Sequence, residues 1–187
     1  MLKAKAPYML NSTVEIDETY VGGLSKHKHK NEREKIIAGR GYTNKTMVFA
    51  ILDRKDGVWT KMVDKVDGEY LKPIIRERID KSTRIITDGF GAYYGLDKEY
   101  KHEIINHQQD EWYRDGWHTN SIEGFFSQLK RGIFGIYHHV SPKHLQRYCD
   151  EFSFRYNTRK ANEDGRFNYS FVNVERRLKY KELIKNV

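Results

Sequence analysis

The stretch His118–Gly132, HTNSIEGFFSQLKRG, has the residue spacing of a helix that covers a hydrophobic core. Its apolar side chains recur at intervals of three and four residues, at Ile122, Phe125, Phe126 and Leu129, and the pattern continues at Ile133, just after the stretch. A neighbouring polar stripe carries Asn120, Glu123, Ser127 and Lys130. The pattern therefore predicts a helix with an acid and a base at the margin of its buried face.

The rest of the chain alternates predicted strands and helices, which indicates a mixed α/β fold. Strands are expected at Thr13–Val21, in a hairpin formed by Lys45–Arg54 and Gly57–Val66, at Thr83–Phe90 and at His102–His107. Helices are expected at Gly68–Ile79, at Ala92–Tyr100, from about Ser141 to Thr158, and within Phe171–Ile184. Pro73 fits best in the first turn of its helix, and a Ser-Pro pair supplies the start of the helix at Ser141.

The composition indicates a globular, basic protein. The 187 residues are 38% hydrophobic and carry a net charge of +8, which favours an anionic partner such as nucleic acid. Cys149 is the only cysteine, which excludes an internal disulfide and a cysteine zinc cluster. No apolar run approaches the roughly 20 residues of a membrane span, so we expect the protein in the cytoplasm.

Acidic residues stand on two predicted strands, and chemistry in open α/β sheets gathers at strand ends. Asp17 lies within the first strand, and Asp88 ends a buried one. Each has a simpler explanation, Asp17 as a solvent-facing residue and Asp88 as part of an Asp-Gly turn. Glu123 likewise fits a capping box with Asn120 at the N-cap. Taken one at a time, these residues leave both explanations open.

Three stretches resemble the DDE transposases of bacterial insertion sequences when they are taken together and in this order. They are VEIDETYVGG, TDGFGAY and HTNSIEGFFSQLKRGIFGIYHHVSPKHLQRYCDEFSFRYN. Within those enzymes the chain is most similar to the insertion sequence 1595 family, the group with the ISXO-type transposase domain. The resemblance implies an α/β fold of the ribonuclease H-like (retroviral integrase-like) type, a mixed sheet flanked by helices. It also implies DNA strand cleavage and strand transfer during transposition.

The resemblance implies a catalytic site as well. Asp17, Asp88 and Glu123 match the three acids of the family, and Lys130 matches an accessory basic residue. Some relatives carry Asn in place of the third acid, which makes Asn120 a second candidate. Carboxylates about 4 Å apart repel by roughly 4 kcal/mol per pair at an effective dielectric near 20, unless a cation lies among them. We therefore expect two Mg²⁺ or Mn²⁺ ions, with Asp17 bridging both and the other two acids holding one each.

DNA is the partner that the resemblance implies, both at transposon ends and at the target. We expect phosphate contacts from Lys26, Lys28 and Lys30, with a solvated loop as the alternative, and from Lys130 and Arg131 on the helix. A homodimer or higher oligomer on DNA is expected, in a nucleoid-associated protein. The aromatic residues before the helix either stack on unpaired bases or pack in the core or as a cover over it; these are Trp112, Tyr113 and Trp117.

The expected organisation has three parts. Residues 1–12 are a remnant of an N-terminal region or a linker, 13–160 the catalytic domain, and 161–187 a C-terminal polar segment and helix. Full-length relatives carry an N-terminal DNA-binding region with a zinc-ribbon-like module, so the chain is expected to be a truncated copy, an excised catalytic domain or a natural short form. Two other functions stay open, a DNA-binding remnant without catalysis or end recognition and a nuclease for RNA–DNA hybrids.

Overall fold

Five strands form one mixed sheet at the centre of the structure, a computed structural model that describes residues 10, 12–22, 45–172 and 179–181. The strands are β1 (Thr13–Val21), β2 (Thr46–Asp53), β3 (Val58–Val63), β4 (Arg84–Asp88) and β5 (Lys101–Ile105). Their order across the sheet is β3-β2-β1-β4-β5. The first three are antiparallel, and β4 and β5 run parallel to β1. The predicted hairpin of β2 and β3 is confirmed.

Helices cover both faces of this sheet. They are α1 (Gly68–Arg78), α2 (Asn120–Gly135), α3 (Pro142–Asn157) and α4 (Glu163–Val172). Side chains alternate between the two faces along each strand, so Val14 and Ile16 of β1 pack with α1. Val48, Ala50 and Leu52 of β2 pack on the other face with α2 and α3. This mixed sheet with helices on both faces confirms the predicted fold class.

The core on the α1 face is mainly aliphatic, with Phe49, Tyr93 and Tyr100 as its buried aromatic residues. Leu71 and Ile75 of α1 are fully buried against β1, β2 and β4. The helix begins at the N-cap Asp67, whose carboxylate accepts a hydrogen bond from the Tyr70 N–H at 2.8 Å. Pro73 is therefore the sixth helical residue, and its placement in the first turn was wrong. Burial of the helix face offsets the hydrogen bond that proline removes.

The core on the opposite face contains the predicted stripe of α2. Ile122, Phe125, Phe126, Leu129 and Ile133 are all buried, which confirms the helical pattern. The predicted start of α3 is confirmed, with Ser141 at the N-cap and Pro142 as the first helical residue. α2 and α3 approach closely at Gly132, where an added Cβ would lie 2.0 Å from Phe152 Cζ. Only glycine allows this approach.

One predicted helix differs from the structure, and another falls mostly outside the described residues. Ala92–Tyr100 is not an α-helix but two short 3₁₀ turns, Gly91–Tyr93 and Leu96–Lys98. Gly95 between them has φ +85°, a left-handed conformation that interrupts a right-handed helix. A helix that was not predicted lies at Glu163–Val172. Most of the last predicted helix, within Phe171–Ile184, falls outside the described residues. Within the described residues, no helix has the length and apolar character needed to cross a membrane.

Candidate active site

The pairing between β1 and β4 ends close to Asp17 and Asp88. Their parallel pairing ends at Glu15 and Ile86, and the same register continued by two residues sets Asp17 beside Asp88. Asp17 faces α2 and α3, because its partner across the β1–β2 ladder, Ala50, is buried in that core. Asp88 faces the same side, since Ile85 belongs to the α1 core and side chains alternate. The two acids thus lie where strand order reverses, the place where α/β sheets form crevices.

A cleft of about 310 Å³ lies between β1 and the first half of α2. Its lining contains three of the predicted site residues, Asp17, Glu123 and Lys130, together with Glu18, Thr19, Phe126 and Ser127. Asp88 is outside this lining, yet it lies near enough for its charge to act on Asp17. The fold therefore brings residues from two strands and one helix, far apart in sequence, to one place.

The carboxylates at this place are difficult to ionise together. Burial first, and then the negative charges of Glu18, Asp88 and Glu123, together raise the pKa of Asp17 to about 8. The Glu18 N–H, 2.8 Å from Asp17 Oδ1, acts in the opposite direction. Burial also raises the pKa of Asp88, although the Phe90 N–H and His107 lower it. Crowded, half-buried acids of this kind are typical of functional sites.

Glu18 adds a fourth acid that the sequence analysis did not select. Burial raises its pKa, and the Tyr93 hydroxyl, which donates a hydrogen bond to Glu18 Oε2, acts in the opposite direction. Burial and the neighbouring Glu18 carboxylate hold the pKa of the Tyr93 phenol well above its usual range. Tyr93 therefore stays a hydrogen-bond donor to this acid.

Glu123 is held by two side chains from the segment before its own helix. Its Oε1 accepts a hydrogen bond from the Thr119 hydroxyl at 2.6 Å and lies 3.2 Å from His107 Nε2. The same imidazole nitrogen lies 3.0 Å from the Thr119 hydroxyl. Thr119, and not Asn120, is the N-cap residue, so the capping box with Asn120 was wrong. Asn120 is the first helical residue and is exposed, outside the lining of the cleft.

A buried ion pair attaches the start of α2 to β1. Glu15 is fully buried, and its Oε1 accepts a hydrogen bond from Arg54 Nε at 2.8 Å. Arg54 also donates to the carbonyl oxygens of Gly116 and His118, each at 3.0 Å. These contacts tie the segment that leads into α2 to the strand that carries Asp17. No sequence pattern pointed to Glu15 or Arg54.

The donor chemistry of the cleft fits a hard divalent cation. Asp17, Asp88 and Glu123 offer only carboxylate oxygens, the ligands that Mg²⁺ and Mn²⁺ prefer. The raised pKa values of Asp17 and Asp88 reflect repulsion and desolvation that a cation would relieve. In the part of the chain that the structure describes, however, no group of three His, Cys, Asp or Glu side chains is arranged to hold a metal ion. Glu123 is engaged with Thr119 and His107 instead.

The residues predicted to contact DNA fall into two groups. Lys26, Lys28 and Lys30 lie outside the described residues. Lys130 lines the cleft, and Arg131 is exposed on the next position of α2. Both belong to the segment 124–149, which contains no Asp or Glu and also carries Lys143 and Arg147. Within this segment the four Lys and Arg side chains are not balanced by any acid.

His107 and the aromatic loop are the other features that the sequence analysis did not resolve. The predicted strand His102–His107 ends at Ile105, which places His107 in a 3₁₀ turn near Glu123. Its position at a strand end was the available signal. Trp112 and Tyr113 are exposed, so neither packs in the core, although Trp112 is stacked on His107 and Tyr113 on His118. Trp117 is half-buried beneath the Arg84 guanidinium, 4.3 Å from the ring centre.

Comparisons with known proteins give similarities at the level of structure and of sequence. The catalytic core domain of BIV integrase aligns with a TM-score of 0.48 and 9% identity, over 86% of this chain and 93% of that one. An uncharacterised protein in transposable element ISH50 of Halobacterium salinarum is 29% identical over 163 residues, 82% of this chain and 55% of the relative. An uncharacterised transposase-like protein of Haemophilus influenzae is 31% identical over 101 residues, 54% of this chain and 80% of the relative.

The chain thus spans about half the length of the relative from transposable element ISH50. The ISXO2-like transposase domain matches residues 9–157. That match includes every strand of the sheet, the cleft, and both α2 and α3. Because it covers most of the chain, the protein belongs to the family of ISXO2-like transposase domains.

Proposed function

We propose that this chain carries the catalytic domain of a transposase and performs metal-dependent cleavage and transfer of DNA strands. One observation carries the proposal. Asp17 and Glu123 line a single cleft with Lys130, and Asp88 lies beside it at the point where β1 and β4 separate. Membership of a transposase family agrees with this chemistry. A nucleic-acid strand bent over the cleft would present its phosphates to all four residues.

Each residue has a separate part in the proposal. Asp17, Asp88 and Glu123 are the proposed ligands of Mg²⁺ or Mn²⁺, which supplies Lewis-acid stabilisation of a phosphoryl group and activation of an oxygen nucleophile. Asp17 is central, because both other acids act on its charge. Glu123 has to leave Thr119 and His107 before it joins the other two. Lys130 neutralises a phosphate at the mouth of the cleft.

The segment 124–149 is the proposed track for the DNA backbone. Its basic side chains follow α2 and α3, and its lack of acids keeps the surface attractive to phosphate. Such contacts position a protein on DNA but carry no sequence information directly. We therefore expect poor discrimination between end sequences, and we propose that an oligomer assembles on the DNA.

A second function is favoured by the way Glu123 is held. Within the described residues no metal-ready group exists, which is the arrangement expected of a DNA-binding remnant that has lost catalysis. The two functions differ in whether metal ions bind. Titration of Mn²⁺ followed by calorimetry, with wild type and Asp88→Ala, separates them without any need for turnover.

The activity test uses end-labelled duplexes with a 3′-hydroxyl, incubated with Mn²⁺ or Mg²⁺ and analysed for nicked and joined strands. We expect products with wild type and a loss of roughly 10⁴-fold with Asp88→Ala, the scale for residues that act as one catalytic unit. Asp97→Ala is the matched control, because Asp97 is an exposed acid in a 3₁₀ turn. Equal activity of wild type and Asp88→Ala would remove the cleft from the reaction. Activity confined to RNA–DNA hybrids would assign a ribonuclease H-like nuclease instead.

A further inference from the structure

Two large aromatic side chains are exposed next to the cleft. Trp112 has 55% of its surface exposed and Tyr113 has 63%. Burial of large aromatic side chains is favourable, so the exposure of two neighbouring ones needs an explanation. They lie in the segment between β5 and α2, which places them just before the helix that carries Glu123.

The loop that carries them is firmly built. Arg114 and Trp117 exchange two backbone hydrogen bonds, of 3.0 and 2.7 Å. Asp115 and Gly116 between them have φ of 49° and 89°, which fits a type I′ turn with its preferred Asp-Gly pair. The Arg114 guanidinium also donates to the Ile104 carbonyl oxygen at 2.8 Å. The aromatic rings are therefore presented from a fixed base, which lowers the entropy lost when a ligand stacks on them.

Trp112 is connected to the candidate active site through one residue. Its ring is stacked on His107, with ring centres 4.5 Å apart and planes 30° from parallel. The same imidazole lies 3.2 Å from Glu123 Oε1. A planar group that stacks on the open face of the indole would therefore be separated from Glu123 by two rings, the indole of Trp112 and the imidazole of His107.

The charge around these rings decides which part of a nucleic acid they accept. Asp110, Glu111 and Asp115 outnumber Arg114 in this loop, so a phosphate is repelled there. A nucleobase is uncharged and has a flat π-face, which suits an exposed indole. Bases in a duplex are stacked on their neighbours, and only an unpaired base is free to take this position.

We propose that Trp112 is a stacking platform for an unpaired base of the DNA strand whose phosphates lie at the acidic cleft. The inference rests on the proposed function, because that function brings DNA to the cleft. Tyr113 is adjacent and supplies a second ring for the next base. The ligand class is single-stranded or frayed DNA at an end, with little dependence on which base is present, since every base has a π-face.

The test compares one fluorescein-labelled duplex in two forms, blunt and with a three-nucleotide single-stranded overhang, by anisotropy in EDTA. Without divalent ions binding is measured and cleavage is absent. We expect wild type to prefer the overhang by about 5–150-fold, the factor for one stacked base. Trp112→Ala should lose that preference and keep its affinity for the blunt duplex. Trp112→Phe should retain part of it.

The position of the base is found by replacing each overhang nucleotide with an abasic site. One replacement should weaken wild type and have no effect on Trp112→Ala. Phe171→Ala, an exposed aromatic residue on α4, is the control and should behave as wild type. Thermal melting checks that each variant is folded. If Trp112→Ala is unfolded, the overhang preference of Trp112→Phe, which should be partly retained, tests the proposal instead.

The outcomes separate the inference from the function on which it rests. Equal binding of blunt and overhang DNA by wild type overturns the stacking platform and leaves the proposed function in place. An overhang preference that persists in Trp112→Ala also overturns it. Failure to bind either DNA at low salt contradicts the proposed function itself, and the exposed rings would then have no nucleic acid to accept.

Discussion

The buried carboxylate of Glu15 on β1 accepts a hydrogen bond from the backbone N–H of Ile122 on α2, at 2.9 Å. The other oxygen of Glu15 is paired with Arg54. One acid therefore satisfies a free N–H in the first turn of α2 and also holds a cation. This contact fixes the helix that carries Glu123 against the strand that carries Asp17.

Replacing Glu15 should be strongly destabilising. Glu15→Ala leaves the Ile122 N–H without its partner and removes the carboxylate paired with the partly exposed Arg54 guanidinium. The guanidinium keeps its bonds to the carbonyl oxygens of Gly116 and His118. We expect the free energy of unfolding to fall by about 3–5 kcal/mol, the usual cost of breaking a buried ion pair. Urea denaturation measures it. Glu77→Ala is the control, because the Glu77 side chain is 70% exposed and should change stability by less than about 0.5 kcal/mol. A loss for Glu15→Ala as small as that of the control would contradict this role.

The stability of the metal-free protein should decrease as pH rises. Asp17 has a pKa of about 8 in the folded chain and an ordinary value near 3.8 when unfolded. Between these two values the folded state binds more protons than the unfolded state, so each increase in pH favours unfolding. The raised pKa values of Glu18 and Asp88 act in the same direction. Melting temperatures in EDTA should fall from pH 5 to about pH 8 and then level off, because above the folded pKa Asp17 is ionised in both states.

Asp17→Asn should reduce this pH slope and raise stability above pH 8. The amide cannot ionise, so the cost of a buried charge is removed. Relief of such active-site strain is worth about 0.5–2 kcal/mol, and each kcal/mol shifts the melting temperature of a domain of this size by about 2–4 °C. Addition of Mg²⁺ at pH 8 should stabilise wild type and not the variant. A variant with the slope of wild type would show that another group is responsible.

Two glycines of α2 should respond oppositely to alanine. Gly132→Ala places a Cβ 2.0 Å from Phe152 Cζ, and overpacking of this kind costs about 1–3 kcal/mol. Gly124 has no atom within 4 Å of an added Cβ, so Gly124→Ala should gain up to about 1 kcal/mol from helix propensity. Urea denaturation of both variants measures the difference. Similar stability for the two would mean that α2 and α3 are less tightly packed.

Binding to duplex DNA should depend steeply on salt through the segment 124–149. The double replacement of Arg131 and Lys143 by Ala removes two exposed cations. The slope of log K against log salt should fall by roughly 1.8, twice the value of about 0.9 per phosphate contact. The matched control replaces Lys81 and Lys98, which are exposed near α1 and β5. An equal change of slope in both double variants would mean that only net charge matters.

The periodic segments of this chain were predictable because burial imposes its period on the sequence. The apolar stripe of α2 follows from its one covered face, and the continuous apolar run of β2 follows from burial on both faces of the sheet. The start of α3 followed from the Ser-Pro pair. The helix predicted at Ala92–Tyr100 was wrong, because the left-handed φ of Gly95 interrupts it. This backbone conformation leaves no trace in the hydrophobic pattern.

The site was predictable only in part, because the tertiary structure brings together residues that are far apart in the sequence. Asp17, Asp88 and Glu123 were selected by the resemblance, and their neighbourhood agrees with the electrostatics; their catalytic roles remain predictions. His107 had only its position at the end of a predicted strand as a signal, and the contacts of Thr119 and Arg54 had none. Their importance arises from distances of about 3 Å across long stretches of chain, and such distances depend on the tertiary structure.

The two hydrophobic cores lie on opposite faces of one sheet and share no residue. The molecule consequently has two distinct faces, one covered by α1 and the other by α2 and α3. A fluorophore or a surface tether attached through Lys81 would sit near the end of α1, behind the sheet. Immobilised in that orientation, the protein presents α2, α3 and the Trp112 loop outward, and kinetics recorded on a sensor would report on the face that carries the acids.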